Sequence, residues 1–197
     1  MTAPTDRTAL RRRLRDARRA LAPVARIAAA EAIATRLHAL PFAPHSGHVA
    51  GYWAMDGEIA LHAWQVRLPA SLTYCLPVLC DDVLRFAPWS PGAPLTANRY
   101  GIPEPDVPRE ALVDAVDMAL VVTPLVGFDA LGRRLGMGGG WYDRTFAFRR
   151  AQPAPPHIVG AAFALQQVDA LDACPWDVGL DAICTDIATF DLRHPIA

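Results

Sequence analysis

Lysine is missing altogether: all 19 basic residues of the 197-residue chain are arginine. Any grip on an anion must therefore come from guanidinium forks or from backbone N–H donors. A Walker-type phosphate loop, which needs lysine, is excluded. Cysteine is scarce and unpatterned. Cys75, Cys80, Cys174 and Cys184 form no Cys-x-x-Cys pair, and His45-x-x-His48 has neither cysteine nor an acidic cluster beside it. That argues against a disulfide framework and a zinc site, and reduced thiols in the cytoplasm are expected. Long apolar runs are also absent. The longest, Met118 to Phe128, spans 11 residues and contains Pro124, short of the roughly 18 needed to cross a bilayer. Only 13 glycines exclude a collagen-like repeat, and 52% apolar residues argue against disorder.

What is present is an almost balanced but uneven charge. Against 20 acidic residues the net charge is −1, yet residues 1–40 carry nine arginines against Asp6, Asp16 and Glu31. The Arg-rich start resembles a transit peptide in composition, but its helical pattern continues without a cleavage-like break, so it is expected to be mature structure. A basic surplus is also a nucleic-acid footprint. No groove-reading or base-stacking motif accompanies it, so the expected partners are small molecules, with neither nucleic acid nor membrane.

Asp6 or Thr5 can cap a first helix with Leu10, Leu14, Ala17 and Leu21 on one face. Pro23 suits the first turn of a second, with Ile27, Ala30, Ile33 and Leu37 aligned, ended by Pro41 and Pro44. Strands are predicted at 48–54, 73–79, 83–87, 117–123, 158–163 and 182–185, and a short helix at 61–68. A glycine-rich loop covers 127–140, and a helix 140–150 precedes the break at Pro153, Pro155 and Pro156. Continuous apolar strands separated by helices imply an α/β fold with a mostly parallel sheet covered on both faces. The expectation is one domain over residues 1–197, a three-layer α/β/α sandwich with residues 1–40 as a helical segment packed on it.

The most informative stretch runs from Phe128 to Arg144. Gly136, Gly138, Gly139 and Gly140 let the backbone approach a ligand and turn several N–H groups toward one point, and the helix after them adds its free N–H end. Arg134 precedes them with donors in fork geometry and Asp143 follows with a hard carboxylate of the kind that holds Mg²⁺ beside phosphates. The fold is Rossmann-like without a dinucleotide fingerprint, because Gly136-x-Gly138-x-x reaches Trp141 where glycine or alanine is required. Phosphate binding is the favoured reading over a turn that needs glycine for geometry alone. Other candidates stay open at this level. Arg11, Arg15 and Arg18 form a stripe that suits an anion or a solvated face, Glu58 suits a ligand or the surface, and Asp177 and Asp181 suit a metal or simple turns.

Taken together, the pattern resembles the 5-formyltetrahydrofolate cyclo-ligase family over nearly the whole chain. Its most specific part is Phe128-Asp-x-x-Gly-x-Arg134-Leu-Gly-x-Gly-Gly-Gly-x-Tyr142-Asp143-Arg144. Arg11-x-x-Leu14-Arg15, Met55-x-x-Glu58, Tyr100-Gly-Ile-Pro-Glu-Pro105, Phe163-x-x-Gln166 and Asp177-x-x-x-Asp181 match in order around it. The resemblance implies an ATP- and Mg²⁺-dependent ligase that turns 5-formyltetrahydrofolate into 5,10-methenyltetrahydrofolate through a phosphorylated N5-iminium intermediate. It implies ATP contacts from Arg11, Arg15 and the run Arg134, Leu135, Gly136, Met137, Gly138, Gly139, Gly140, Trp141 and Tyr142. Arg134 and Tyr142 would be catalytic, Asp143 and Asp177 would hold Mg²⁺, and Trp53, Met55 and Glu58 would bind the folate. Two positions depart from the family: Arg11 where lysine is usual, and Trp141 where tyrosine is. A cytoplasmic monomer is expected. A binding protein without turnover, or an ATP-dependent enzyme of the same fold with another small substrate, are the alternatives.

Overall fold

The computed structural model describes residues 6–193. Thr5, one of the two candidate caps, lies outside them. Asp6 is the cap of helix α1 (Arg7–Arg19): its carboxylate accepts from the N–H groups of Thr8 at 3.0 Å and Ala9 at 3.1 Å. The buried stripe of α1 is Leu10, Leu14 and Arg18, one residue every turn or so, and Ala17 is exposed. The predicted apolar face is thus rotated, because an arginine takes its third position. In α2 (Pro23–His38) Ala29, Ile33, Ala34 and Leu37 are buried. Ile27 is 66% exposed, so the buried face of α2 begins only at Ala29.

Seven strands form the central sheet: β1 (Gly47–Ala50), β2 (Leu72–Cys80), β3 (Val83–Pro88), β6 (Met118–Pro124), β9 (His157–Ala161), β10 (Ala182–Cys184) and β11 (Thr189–Asp191). Their spatial order is β11-β10-β9-β6-β1-β2-β3. The five inner strands run parallel, and β3 and β11 close the edges antiparallel. Side chains alternate between two cores. Val49, Leu120, Val122, Val159 and Ala182 face α2 and α3 (His62–Gln65). Ala50, Met118, Val121, Ile158 and Ile183 face Phe86, Phe128 and Phe146 on the other side. That second covering layer is thin: the predicted helix 140–150 is a five-residue α4 (Trp141–Thr145) followed by a 3₁₀ turn at Ala147–Arg150.

The strand predicted at 48–54 ends at Ala50. Gly51 still donates to the Cys75 carbonyl at 3.2 Å, but a side chain there would collide with the Tyr74 hydroxyl, so the chain leaves the sheet at a glycine. Two small hairpins, β4 (Leu95–Ala97) with β5 (Pro103–Pro105) and β7 (Gly127–Phe128) with β8 (Arg134–Leu135), lie outside the central sheet. The predicted loop 127–140 is therefore a hairpin first and a loop only from Gly136. α1 packs Leu10 and Leu14 on Val126, Leu135 and Leu171 beside that hairpin. Among the described residues no helix is long and apolar enough to cross a membrane.

The strand order places a topological switch between β1 and β6: the chain winds outward from β1 to β2 and β3, then returns to β6 on the opposite side of β1. In open α/β sheets the crevice beyond the carboxyl ends at such a switch is where ligands bind.

Candidate active site

A cavity of about 460 Å³ opens at that place, above the ends of β1 and β6, and Tyr52, Trp53, Thr123 and Pro124 line its floor. Arg7 and Arg11 of α1, the turn 55–58, the β4–β5 hairpin and the glycine loop 136–140 supply its walls.

The long signature divides in two. Its first half is structural. Phe128 is fully buried, and the buried Asp129 carboxylate accepts from the N–H groups of Leu131 and Arg133 at 3.0 Å each and of Leu171 at 2.9 Å. The first two bonds close the β7–β8 turn, and the third ties it to the segment at Leu171. Leu135, expected to contact ATP, points into the core with Leu10 and Leu14, while its carbonyl accepts from Val126 N–H at 2.9 Å. Gln166 braces the same hairpin by donating to the Leu125 and Val126 carbonyls at 2.6 and 2.9 Å.

The second half faces the cavity. Gly138 and Gly140 have φ of 99° and 65°, values that glycine adopts without the steric cost a Cβ would bring. Among the described residues, the N–H groups of Met137, Gly138, Gly139 and Gly140 donate to no backbone carbonyl. Such a run of unpaired donors is a nest for an anion, and since α4 has only five residues the nest, not a helix dipole, carries the attraction. The loop is held from both sides: Arg11 Nε donates to the Gly136 carbonyl at 2.8 Å, and Arg144 Nη1 to the Gly139 carbonyl at 2.7 Å. Arg11 is also held below the usual guanidinium range, first by burial and then by the neighbouring charge of Arg7. Two cations share this wall, and an anion would relieve both.

Carboxylates stand at the glycine end. Asp143 pairs with Arg134 and accepts from Val178 N–H at 3.1 Å, while Arg134 also donates to the Val178 carbonyl. Asp177 lines the same cavity, and its Oδ2 accepts from Cys174 N–H at 2.9 Å. Asp181 does not join it. Arg149 grips both its oxygens at 3.2 Å, and Ile158 N–H donates to it at 2.7 Å, so it is a brace beneath the sheet. Among the described residues no cluster of three or more His, Cys, Asp or Glu side chains could hold a metal alone. Two carboxylates beside a phosphate nest fit Mg²⁺, which takes one or two protein carboxylates and completes its shell with phosphate oxygens and water.

The opposite end holds Glu58. Asp56 and Gly57 both have positive φ, 52° and 79°, which makes 55–58 a tight turn of the primed kind. Glu58 N–H donates to the Met55 carbonyl at 2.9 Å, and Met55 N–H returns to Glu58 Oε2 at 3.0 Å. Burial pushes the Glu58 carboxyl above its usual range, against the Met55 N–H bond and the charge of Arg18, which pull it down. Trp53 stands edge-on to Trp89 with ring centroids 5.8 Å apart. Tyr142 is half-buried between the two ends and stacked on Phe146, and desolvation drives its phenol far up, so it stays a neutral donor. Trp141 stands edge-on to Tyr100, with Arg99 and Arg144 over its ring at 5.2 and 4.9 Å.

The cavity thus collects Arg11, Trp53, Met55, Glu58, Arg134, Gly136, Met137, Gly138, Gly139, Gly140, Trp141, Tyr142, Asp143 and Asp177. Arg15 is not among them. It turns to Asp56, 2.5 Å away, and the arginine that shares the wall with Arg11 is Arg7, one turn earlier. Spacing could not single out Arg7, because Arg7 and Arg15 both stand four positions from Arg11. Arg18 and Thr123 carried no signal either: one sits at an apolar position of its helix, the other inside an apolar strand.

The family model described as the 5-formyltetrahydrofolate cyclo-ligase family matches residues 3–186. The curated protein named 5-formyltetrahydrofolate cyclo-ligase of Escherichia coli K12 is 32% identical over 177 residues, 87% of this chain and 96% of that one. The protein of the same name from Haemophilus influenzae is 37% identical over 137 residues, 68% and 72% of the two chains. The solved 5,10-methenyltetrahydrofolate synthetase of Aquifex aeolicus superposes with a TM-score of 0.79 at 26% identity, covering 97% of this chain and 95% of that one. With the glycine nest, two carboxylates and Glu58 around one cavity, and a match over nearly its full length, the chain belongs to the 5-formyltetrahydrofolate cyclo-ligase family.

Proposed function

We propose that this chain converts 5-formyltetrahydrofolate and ATP to 5,10-methenyltetrahydrofolate, ADP and phosphate in the cavity at the sheet switch. The observation that carries this reading is the polarity of that one cavity. A cation-flanked N–H nest lies at one end and a half-buried carboxylate beside aromatic side chains at the other, with room between them for two substrates to meet.

The triphosphate lies on the nest with Arg7 and Arg11 beside it. The Glu58 carboxylate, with Trp53 and Met55, takes the pterin, whose paired N–H donors match two carboxylate oxygens. A formamide carbon is a poor electrophile and its oxygen a poor leaving group. The formyl oxygen attacks the γ-phosphorus and ADP departs, while the N5 lone pair forms the C=N bond of an iminium phosphate. N10 then adds to that carbon and loses its proton, and the C–O bond breaks to release phosphate. Arg134 and the N–H nest stabilise charge as it shifts onto phosphate oxygens, and neutral Tyr142 orients the formyl group as a donor. Positioning and fixed charge suffice for phosphoryl transfer, so no dedicated nucleophile is required. Mg²⁺ held by Asp143 and Asp177 would neutralise charge on the β- and γ-phosphate oxygens.

The reading includes a cytoplasmic monomer with its thiols reduced. Burial pushes the Cys75 and Cys184 thiols up to about 12 and about 11, which keeps those two protonated and unreactive. The test is an absorbance assay for methenyl product with 5-formyltetrahydrofolate, ATP and Mg²⁺, each omitted in turn. Product is expected only with all three, with one ADP formed per turnover. Absence of product from folded protein overturns the reading.

A further inference from the structure

We propose that Arg18 is a positioning residue for folate recognition: it locks the 55–58 turn against α1 and holds the Glu58 carboxylate aimed into the cavity beside its own positive charge. This rests on Glu58 being the folate ligand.

Arg18 is 1% exposed, in the stripe of α1 where Leu10 and Leu14 precede it. A charge at that depth is costly unless its donors are matched, and here they are spent on two segments of the site. Nε donates to the Asp56 carbonyl at 2.9 Å and Nη2 to Asp56 Oδ2 at 3.0 Å. Nη1 reaches the Leu125 carbonyl at 3.4 Å, and Nη2 stands 3.5 Å from Glu58 Oε1. One guanidinium therefore joins the loop after β1 to the loop after β6, the two walls of the switch crevice. Purely structural duty would be met by the carbonyls alone, whereas the contact to Glu58 acts on a side chain that lines the cavity.

The charges around Glu58 show why Arg18 matters to it. Arg18 and Arg15 face it from α1, Asp56 from its own turn, Tyr52 from the end of β1 and Tyr142 from α4. Tyr52 is buried and Tyr142 half-buried, desolvation keeps both phenols neutral, and Asp56 is itself covered by Arg15, Arg18 and Arg19. Burial favours the protonated acid. Arg18 is the cation nearest the Glu58 carboxylate, and its loss would push that carboxyl further up.

The test is folate KM and kcat against pH for Arg18→Met, Arg18→Lys and Glu58→Gln, with ATP affinity and melting temperature measured on each. The expected result for Arg18→Met is a folate KM raised roughly tenfold or more near neutral pH, the scale of one hydrogen bond to a charged group. Its acidic limb should move to higher pH, with ATP affinity kept and kcat recovered at saturating folate. Arg18→Lys should return the limb toward that of the unmodified protein, because it restores the charge. An acidic limb that stays in place in Arg18→Met, while Glu58→Gln weakens folate binding, overturns the proposal and leaves the folate site standing. Unchanged folate affinity in Glu58→Gln overturns the folate site itself. If the methionine variant does not fold, Arg18→Gln, which removes the charge but keeps polar donors, decides: an acidic limb moved to higher pH and weaker folate binding with normal ATP binding support the role, and an unmoved limb with unaltered folate binding overturns it.

Discussion

The Nε of Arg11 and the carbonyl of Gly136, 125 positions apart in the chain, are 2.8 Å apart in space. Helix α1 and the glycine loop are thereby one wall, and the anion site is built from both. Replacing Arg11 removes a cation and an anchor together. Arg11→Ala should raise the KM for ATP roughly 10- to 100-fold, as expected for lost hydrogen bonds to charged groups. Arg11→Lys should recover only part of this, because an ammonium cannot reproduce the fork that spans carbonyl and phosphate. Initial rates over a range of ATP concentrations check both.

Gly136 and Gly138 separate two reasons for glycine. A Cβ at Gly136 meets nothing within 4 Å, whereas Gly138 holds a φ of 99°. Gly136→Ala should leave the melting temperature nearly unchanged and still weaken ATP binding, since its methyl occupies space meant for ligand. Gly138→Ala should weaken binding and also destabilise the fold by about 1–2 kcal/mol. Thermal melts paired with nucleotide titrations distinguish them.

Arg134 and Asp143 pair with each other and both bind Val178, so alanine at either position disturbs structure as well as chemistry. Turnover should fall at least ~100-fold in Arg134→Ala and Asp143→Ala. Asp143→Asn is the sharper probe: its amide oxygen can still accept from Val178 N–H, so stability should hold while activity and its Mg²⁺ dependence are lost. Steady-state rates across a Mg²⁺ titration, with melting curves alongside, test this.

Glu58 should impose an acidic limb on folate binding above the ordinary carboxylate range, because burial raises its pKa. As pH falls through that raised value the carboxylate gains a proton and folate affinity drops, while ATP affinity does not follow. Glu58→Gln should bind folate roughly 10- to 100-fold more weakly at neutral pH, with the limb gone. Folate titrations at a series of pH values give the answer.

Much of the fold was legible as local pattern. Apolar runs located the six strands expected in the central sheet to within a few residues, and the edge strand β11 and both small hairpins escaped because two or three residues show no periodicity. The α1 face was misread for a specific reason. Leu10 and Leu14 are followed at the next turn by Arg18, and periodicity alone favours Ala17. An arginine enters a core position only when partners such as Asp56 wait there, and those partners lie in another segment.

The glycine nest was readable from the order of residues because its geometry is local: positive φ and adjacent N–H groups need no distant neighbour. The fold class was likewise carried by periodicity, and the family by a signature of 17 consecutive positions. Which arginines serve the cavity could not be read in that way. Arg7, Arg11, Arg15 and Arg18 follow one another at about one turn each on one helix, and their duties diverge according to what lies opposite: open cavity, the Gly136 carbonyl, or the Asp56 turn. Those partners are brought to α1 by the switch between β1 and β6, and their placement depends on long-range strand order rather than on any spacing along the helix.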